Sequence, residues 1–128
     1  MQTIMSNMNA VSWFEIPVKD LARAQKFYER VLDITMQAPR MPGMKMVMFP
    51  GDPKYPGSAG ALVPSDTAVP SQQGTIVYLN CRDISRELQR VEENGGKVLF
   101  PKTDIGEDGY FAHFCDTEGN RVGLYSMQ

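Results

Sequence analysis

Histidine, cysteine and tryptophan are all scarce in this chain of 128 residues, which has one histidine, two cysteines and one tryptophan. A single histidine cannot form the multi-histidine centres that hold zinc or iron in many enzymes. The spacing of Cys81 and Cys115 does not suggest a metal knuckle or a disulfide framework. Because neither cysteine has an adjacent base or helix start to activate it, we expect two free thiols in the core.

A strong excess of one charge and a long apolar run are also missing. Thirteen basic residues face fifteen acidic ones, for a net charge of -2 at pH 7. Such a chain has no field that would gather nucleic acid or anionic lipid. No stretch approaches the roughly 20 apolar residues of a membrane span. Residues 1–7 lack the charged start and apolar run of a signal peptide. We therefore expect a cytoplasmic protein without nucleic-acid or membrane partners, and a flexible tail at residues 1–8.

One strand–helix unit occurs twice. Residues 13–18 alternate in polarity as a half-buried strand does, and Asp20 is suited to cap a helix over residues 21–32. Asp83, 63 positions later, follows a strand-like segment at 76–81 and precedes a predicted helix over 84–93. Strand-like segments then follow each helix, at 34–37, 44–49 and 59–63 in the first half and at 97–100, 111–115 and 121–126 in the second.

The segment 64–74 is rich in proline, serine, glutamine and glycine, which is typical of a linker. It separates a first module at about 9–63 from a second at about 75–128. Each module alone is too short to bury a good core. We therefore predict one domain, at residues 9–128, built from both modules.

Four short motifs follow one another along the two modules. The sequence is FEIPVKDL at 14–21, FYERVL at 27–32, EENGGKV at 92–98 and DTEGNRVGL at 116–124. In this order the motifs resemble the vicinal-oxygen-chelate superfamily, which includes glyoxalase, bleomycin-resistance and extradiol-dioxygenase proteins. Asp33 stands where that family usually has glycine. The resemblance implies an α+β fold in which two βαβββ-type modules form a curled mixed sheet around a cleft.

The resemblance also locates four metal-ligand positions. In the metal-using relatives each module supplies two ligands from cleft-facing strands, and motif spacing places these positions on Trp13, Met48, Ile76 and Gly123. None of the four carries the imidazole, carboxylate or thiolate that zinc, iron or manganese requires. We therefore expect neither a metal nor another cofactor at the usual position of the family.

Strand alternation and hairpin pairing predict which side chains line the cleft. If residues 116–120 form the hairpin loop, Phe111 opposes Tyr125, His113 opposes Gly123 and Cys115 opposes Arg121. Glu15 and His113 are predicted as an acid–base pair, and Arg121 as a clamp for a carboxylate or phosphate. The predicted ligand-binding residues are Trp13, Met46, Met48, Ile76, Tyr78, Asn80, Arg121 and Tyr125.

This lining suits three functions, and we favour the first. The first is a metal-free cleft that binds a small, partly apolar organic ligand, with or without turnover. The second is a lactoylglutathione-lyase-like isomerase or lyase with a relocated metal site, built from Glu15, His113 and either Asp116 or Glu118.

The third function is a non-catalytic interaction module whose cleft is filled by bulky side chains. Trp13, Met48 and Ile76 favour it, because they occupy the positions where relatives hold a metal. Trp13 is either a cleft wall or the anchor of a dimer contact. By resemblance to the family we expect a homodimer.

Overall fold

The computed structural model describes residues 8–39, 41–52 and 54–128. The tail predicted at residues 1–8 lies outside the described residues, except for Met8. The first module contains β1 (Trp13–Val18), α1 (Leu21–Leu32), β2 (Val47–Met48) and β3 (Ala59–Pro64). The second contains β4 (Tyr78–Asn80), α2 (Ile84–Glu93), β5 (Lys97–Asp104), β6 (Tyr110–Cys115) and β7 (Arg121–Ser126).

Both helices begin and end where the sequence predicts. The Asp20 carboxylate accepts a hydrogen bond from the backbone N–H of Arg23 at 3.1 Å, and Asp83 accepts one from Ser85 at 3.0 Å. These bonds satisfy N–H groups that have no partner inside the helix. Asp33 caps the end of α1 and has a left-handed backbone conformation, with a φ of 54° and a ψ of 55°.

The strands form two sheets, with the orders β1-β3-β2 and β4-β7-β6-β5. β1 is parallel to β3, and β4 is parallel to β7. The predicted α+β fold of two strand–helix modules is confirmed, although the single curled sheet is divided into two. No helix in the described ranges is long and apolar enough to cross a membrane.

Several predicted strands are too long. The segment 34–37 contributes only one bridge, between Gln37 and Met48, and 44–49 shortens to β2. Pro39 and Pro42 have no backbone N–H to donate, and Gly43 turns the chain with a φ of 88°. The segment 76–81 likewise shortens to the three residues of β4. β5, by contrast, runs four residues past its predicted end.

The core is shared by both modules. Tyr28 of α1 lies edge-on to Phe27 and to Phe49, with ring centroids 5.1 and 5.6 Å away. Phe27 and Tyr28 also contact Phe114 of β6, at 5.9 and 6.2 Å. Because Tyr28 and Phe114 are fully buried, the contact between α1 and the second sheet excludes water.

The loop between β6 and β7 holds the start of α1, in the first module. Glu118 accepts hydrogen bonds from the backbone N–H groups of Lys19 and Asp20, both at 2.8 Å, and from the Arg23 guanidinium at 2.8 Å. Burial alone would raise the pKa of Glu118, but these donors lower it to about 2. We call this loop, residues 116–120, the intermodule clamp.

Candidate functional site

One face of the first sheet carries Trp13 and Glu15. The Trp13 indole N–H donates to the Glu15 carboxylate at 3.1 Å. Glu15 pairs with Ala61, which pairs with Met48 of β2, so Glu15 and Met48 lie on the same face. Met46, just before β2, is half-buried.

The corresponding face of the second sheet is arranged in cross-strand rows. The predicted hairpin pairs Phe111–Tyr125, His113–Gly123 and Cys115–Arg121 are all confirmed. The neighbouring strands extend the middle pair, because Tyr78 of β4 pairs with Gly123 and Phe100 of β5 pairs with His113. The resulting row runs across four strands, in the order Tyr78, Gly123, His113, Phe100.

Four rings cluster around this row. Phe100 stacks on Phe111, with centroids 5.3 Å apart and planes tilted by 17°. The His113 ring centroid lies 5.4 Å from that of Tyr78 and 5.6 Å from that of Phe111. Tyr78 and Phe100 are 46% and 43% exposed, so the rings form a surface that is open to solvent. We call Tyr78, Phe100, Phe111 and His113 the aromatic face.

Gly123 gives the Tyr78 ring its position. A Cβ atom at residue 123 would lie 2.4 Å from a carbon of that ring, which is closer than atoms can pack. The ring therefore lies directly over β7 and reaches across it to His113. The family resemblance places Gly123 at a metal-ligand position, but here Gly123 provides the space in which the Tyr78 ring packs.

Both ring nitrogens of His113 have partners. Nε2 lies 2.7 Å from the Tyr78 hydroxyl, and Nδ1 lies 2.9 Å from a guanidinium nitrogen of Arg121. Partial burial and the positive charge of Arg121 lower the pKa of His113 below its ordinary value of 6.5. The imidazole is therefore neutral at pH 7.

The structure does not join Glu15 to His113. Glu15 bonds to Trp13, and His113 bonds to Tyr78 and Arg121. The carboxylate and the imidazole make no hydrogen bond to each other in the described structure. The predicted acid–base pair therefore has no direct contact to support it.

An open groove of about 1690 Å³ lies between the first strands of the two modules. Small-molecule pockets hold about 300–1,000 Å³, so the groove is too open to enclose one small ligand tightly. It brings together five of the predicted site residues, Trp13, Glu15, Ile76, Tyr78 and Asn80. Its lining does not include Met46, Met48, His113, Arg121 or Tyr125.

The Tyr125 hydroxyl makes its contacts outside the aromatic face. It donates to the backbone oxygen of Asp108 and lies 3.0 Å from the sulfur of Met127. Tyr125 therefore anchors the short 3-10 turn at Gly106–Asp108.

Sequence reasoning missed Phe100 and Phe111 as parts of the site. The hairpin pairing contained the signal for Phe111, because a residue opposite Tyr125 shares its face. Phe100 gave no such signal. The register between β5 and β6 shifts on both sides of Phe100, and a shift changes which side chains share a face.

The described residues offer no cluster that fits a divalent metal. No group of three or more histidine, cysteine, aspartate or glutamate side chains within residues 8–39, 41–52 and 54–128 is placed to hold one. The relocated-site alternative needs Asp116 or Glu118. Asp116 accepts from the Tyr28 hydroxyl at 2.6 Å, and Glu118 is held in the intermodule clamp. We assign no chemistry to a metal.

Known proteins share both sequence and fold with this chain. The model of the Glyoxalase/Bleomycin resistance protein/Dioxygenase superfamily matches residues 10–124. A glyoxylase-like domain-containing protein of Didymella fabae is 35% identical over 116 residues, 86% of this chain and 88% of that protein.

Solved structures of other proteins have the same fold as this chain. A glyoxalase/bleomycin resistance protein from Albidiferax ferrireducens T118 shares the fold, with a TM-score of 0.69 at 17% identity over 91% of this chain and 97% of that chain. TnmS3, an antibiotic binding protein from Streptomyces sp. CB03234, is 25% identical with a TM-score of 0.62, over 93% and 96%. The chain belongs to the glyoxalase/bleomycin resistance protein/dioxygenase superfamily.

Proposed function

We propose that this protein binds a flat, partly apolar organic anion on the aromatic face of its second module. The observation that carries the proposal is the exposed ring cluster around His113, with Arg121 bonded at its edge. Exposed aromatic rings are unfavourable in water, and stacking of a second flat apolar group on them lowers the free energy by removing that surface from water. The ligand is therefore expected to stack on rings rather than fill an enclosed cavity.

Arg121 supplies the charge complement. Only one of its guanidinium nitrogens is bonded, to His113, in the part of the chain that the structure describes. A guanidinium carries five N–H donors in a planar fork, so several of them are available to a carboxylate. The ligand thus combines a flat ring system with an anionic group at one end.

Binding without turnover fits these contacts better than acid–base chemistry. A general base must direct a free lone pair at the substrate. Both ring nitrogens of His113 bond to neighbouring side chains, and one carboxylate oxygen of Glu15 accepts from Trp13. TnmS3, at 25% identity, is a relative named for antibiotic binding, which supports the proposed binding role.

Isothermal titration calorimetry with 2-naphthoate tests this function. We expect saturable binding of 2-naphthoate and weaker binding of its saturated decalin analogue, which cannot stack. Phe111→Ala removes a ring of the face and should raise the Kd about tenfold. Val69→Ala, at a 72% exposed residue of the linker, is the matched control. Absence of saturable binding, or an unchanged Kd in Phe111→Ala, would reject the proposal.

We also propose that two copies associate as a homodimer. Trp13 and Val11, which line the open groove, are 39% and 59% exposed, and apolar surface of this kind favours burial. Light scattering coupled to size-exclusion chromatography should give twice the chain mass, and Trp13→Ala should shift the protein toward monomer. A monomeric mass at all concentrations would exclude the dimer.

A further inference from the structure

The proton positions around His113 follow from the bonding capacity of its partners. A guanidinium only donates hydrogen bonds, so the Nδ1 atom that contacts Arg121 at 2.9 Å must present a lone pair. The proton of the neutral imidazole is then on Nε2. Nε2–H donates to the Tyr78 hydroxyl oxygen, 2.7 Å away.

This order of donors leaves one proton without a partner. A tyrosine oxygen that accepts a hydrogen bond still has its own O–H to donate. No protein acceptor for that O–H occurs among residues 8–39, 41–52 and 54–128, where the Tyr78 hydroxyl bonds to His113. Since Tyr78 is 46% exposed, the O–H is available to a ligand lying on the aromatic face.

We propose that the Tyr78 hydroxyl and the Arg121 guanidinium together bind the anionic oxygens of the ligand, and that His113 is the positioning residue between them. The inference rests on the proposed function, because it names the chemical group by which the ligand on that face is recognised. The two donors lie at opposite edges of one imidazole ring. A carboxylate has two oxygens, so one can accept from the Tyr78 hydroxyl and the other from the guanidinium nitrogens that are not bonded to His113, whereas a neutral amide presents only one acceptor oxygen.

The same arrangement gives His113 a role other than that of a base. Nδ1 carries the only ring lone pair that can accept a hydrogen bond, and Arg121 already donates to it. The lowered pKa of His113, from burial and then from Arg121, agrees with a ring that stays neutral and keeps this lone pair. Arg121 fixes the tautomer, the tautomer directs Nε2–H at Tyr78, and Tyr78 directs its own proton outward.

Because the chain has one histidine, nitrogen NMR of the labelled imidazole tests the proton order without any ligand. At pH 7.5 we expect Nδ1 at an unprotonated shift and Nε2 at a protonated shift, with no mixture. Tyr78→Phe should leave this pattern intact, because Arg121 still bonds Nδ1. Arg121→Met should allow a mixture of tautomers and raise the pKa of the ring. A protonated Nδ1 in the wild-type protein would overturn the inference and leave the proposed function standing.

Calorimetry then tests the recognition step with 2-naphthoate and neutral 2-naphthamide. We expect the wild-type protein to prefer the carboxylate about tenfold or more, since hydrogen bonds to charged groups are the stronger ones. Tyr78→Phe keeps the ring over Gly123 and removes the hydroxyl, which is both the donor to the ligand and the acceptor of the His113 Nε2–H. It should weaken 2-naphthoate about tenfold and 2-naphthamide much less. Equal losses for both probes, or no preference in the wild type, would overturn the inference, whereas absence of binding by either probe would overturn the proposed function.

Discussion

At the scale of single residues, Gly123 and Asp33 each decide a local geometry. Gly123 leaves room for the Tyr78 ring, and that ring connects β4 to His113 across β7. Asp33 ends α1 in a left-handed conformation, where a side chain is normally disfavoured. Both residues depart from what relatives are expected to carry, and only the first departure changes the candidate site.

We predict that Gly123→Ala destabilises the fold by about 1–3 kcal/mol, because the new methyl group displaces the Tyr78 ring. Urea denaturation measures the change. In a Tyr78→Ala background, Gly123→Ala should lower the free energy of unfolding much less, because the ring with which the new methyl group clashes is absent. Equal costs in both backgrounds would show that the ring does not occupy the space above Gly123.

Asp33→Gly should stabilise the protein by about 0.5–1 kcal/mol. Glycine adopts the φ of 54° without strain, and this gain exceeds its larger loss of chain entropy on folding. Asp33→Ala is the control, because it keeps the strain and should be neutral or destabilising. Thermal denaturation compares the three proteins. A lower Tm for Asp33→Gly than for the wild type would contradict the left-handed helix end.

At the scale of elements, the intermodule clamp connects the second module to the start of α1. The Asn120 amide donates to the backbone oxygen of Pro17 at 2.8 Å, and Asp116 accepts from Tyr28. Glu118 closes the arrangement with its bonds to Lys19, Asp20 and Arg23. The residue order that marks this hairpin in the sequence therefore carries a structural task, and its carboxylates are not available to a ligand.

The clamp makes stability depend on pH. The folded pKa of Glu118, about 2, lies below the ordinary value of 4.5. Its contribution is therefore complete above about pH 4.5 and is lost as the pH falls toward 2. Glu118→Gln should cost on the order of 2 kcal/mol at pH 7 and progressively less below pH 4.5.

Denaturant titrations of both proteins at pH 7 and pH 3 measure this difference. Glu107→Gln changes an exposed glutamate of the 3-10 turn and serves as the control, with little effect at either pH. A deficit in Glu118→Gln that stays the same at pH 7 and pH 3 would show that the ionised carboxylate is not what the clamp requires.

At the scale of the whole molecule, the sequence predicts the fold better than the site. Hydrophobic periodicity and capping residues predict the first and last residues of α1 and α2, because helix signals such as Asp20 and Asp83 are local. Hairpin pairing predicts the face that holds His113. Whether Glu15 contacts His113 depends on how the two sheets pack, and no local sequence pattern predicts that packing. Phe100 was missed for a related reason, since the register shifts beside it appear only in the folded sheet.

The central claim is that the aromatic face of the second module is the place where a ligand binds. His113 lies in the middle of that face, and it is the only histidine of the chain, so its ring resonances report on the face without ambiguity. In an NMR titration with 2-naphthoate, the account predicts that these resonances shift and saturate with the Kd measured by calorimetry. Saturable binding of 2-naphthoate that leaves the His113 resonances unchanged would contradict it.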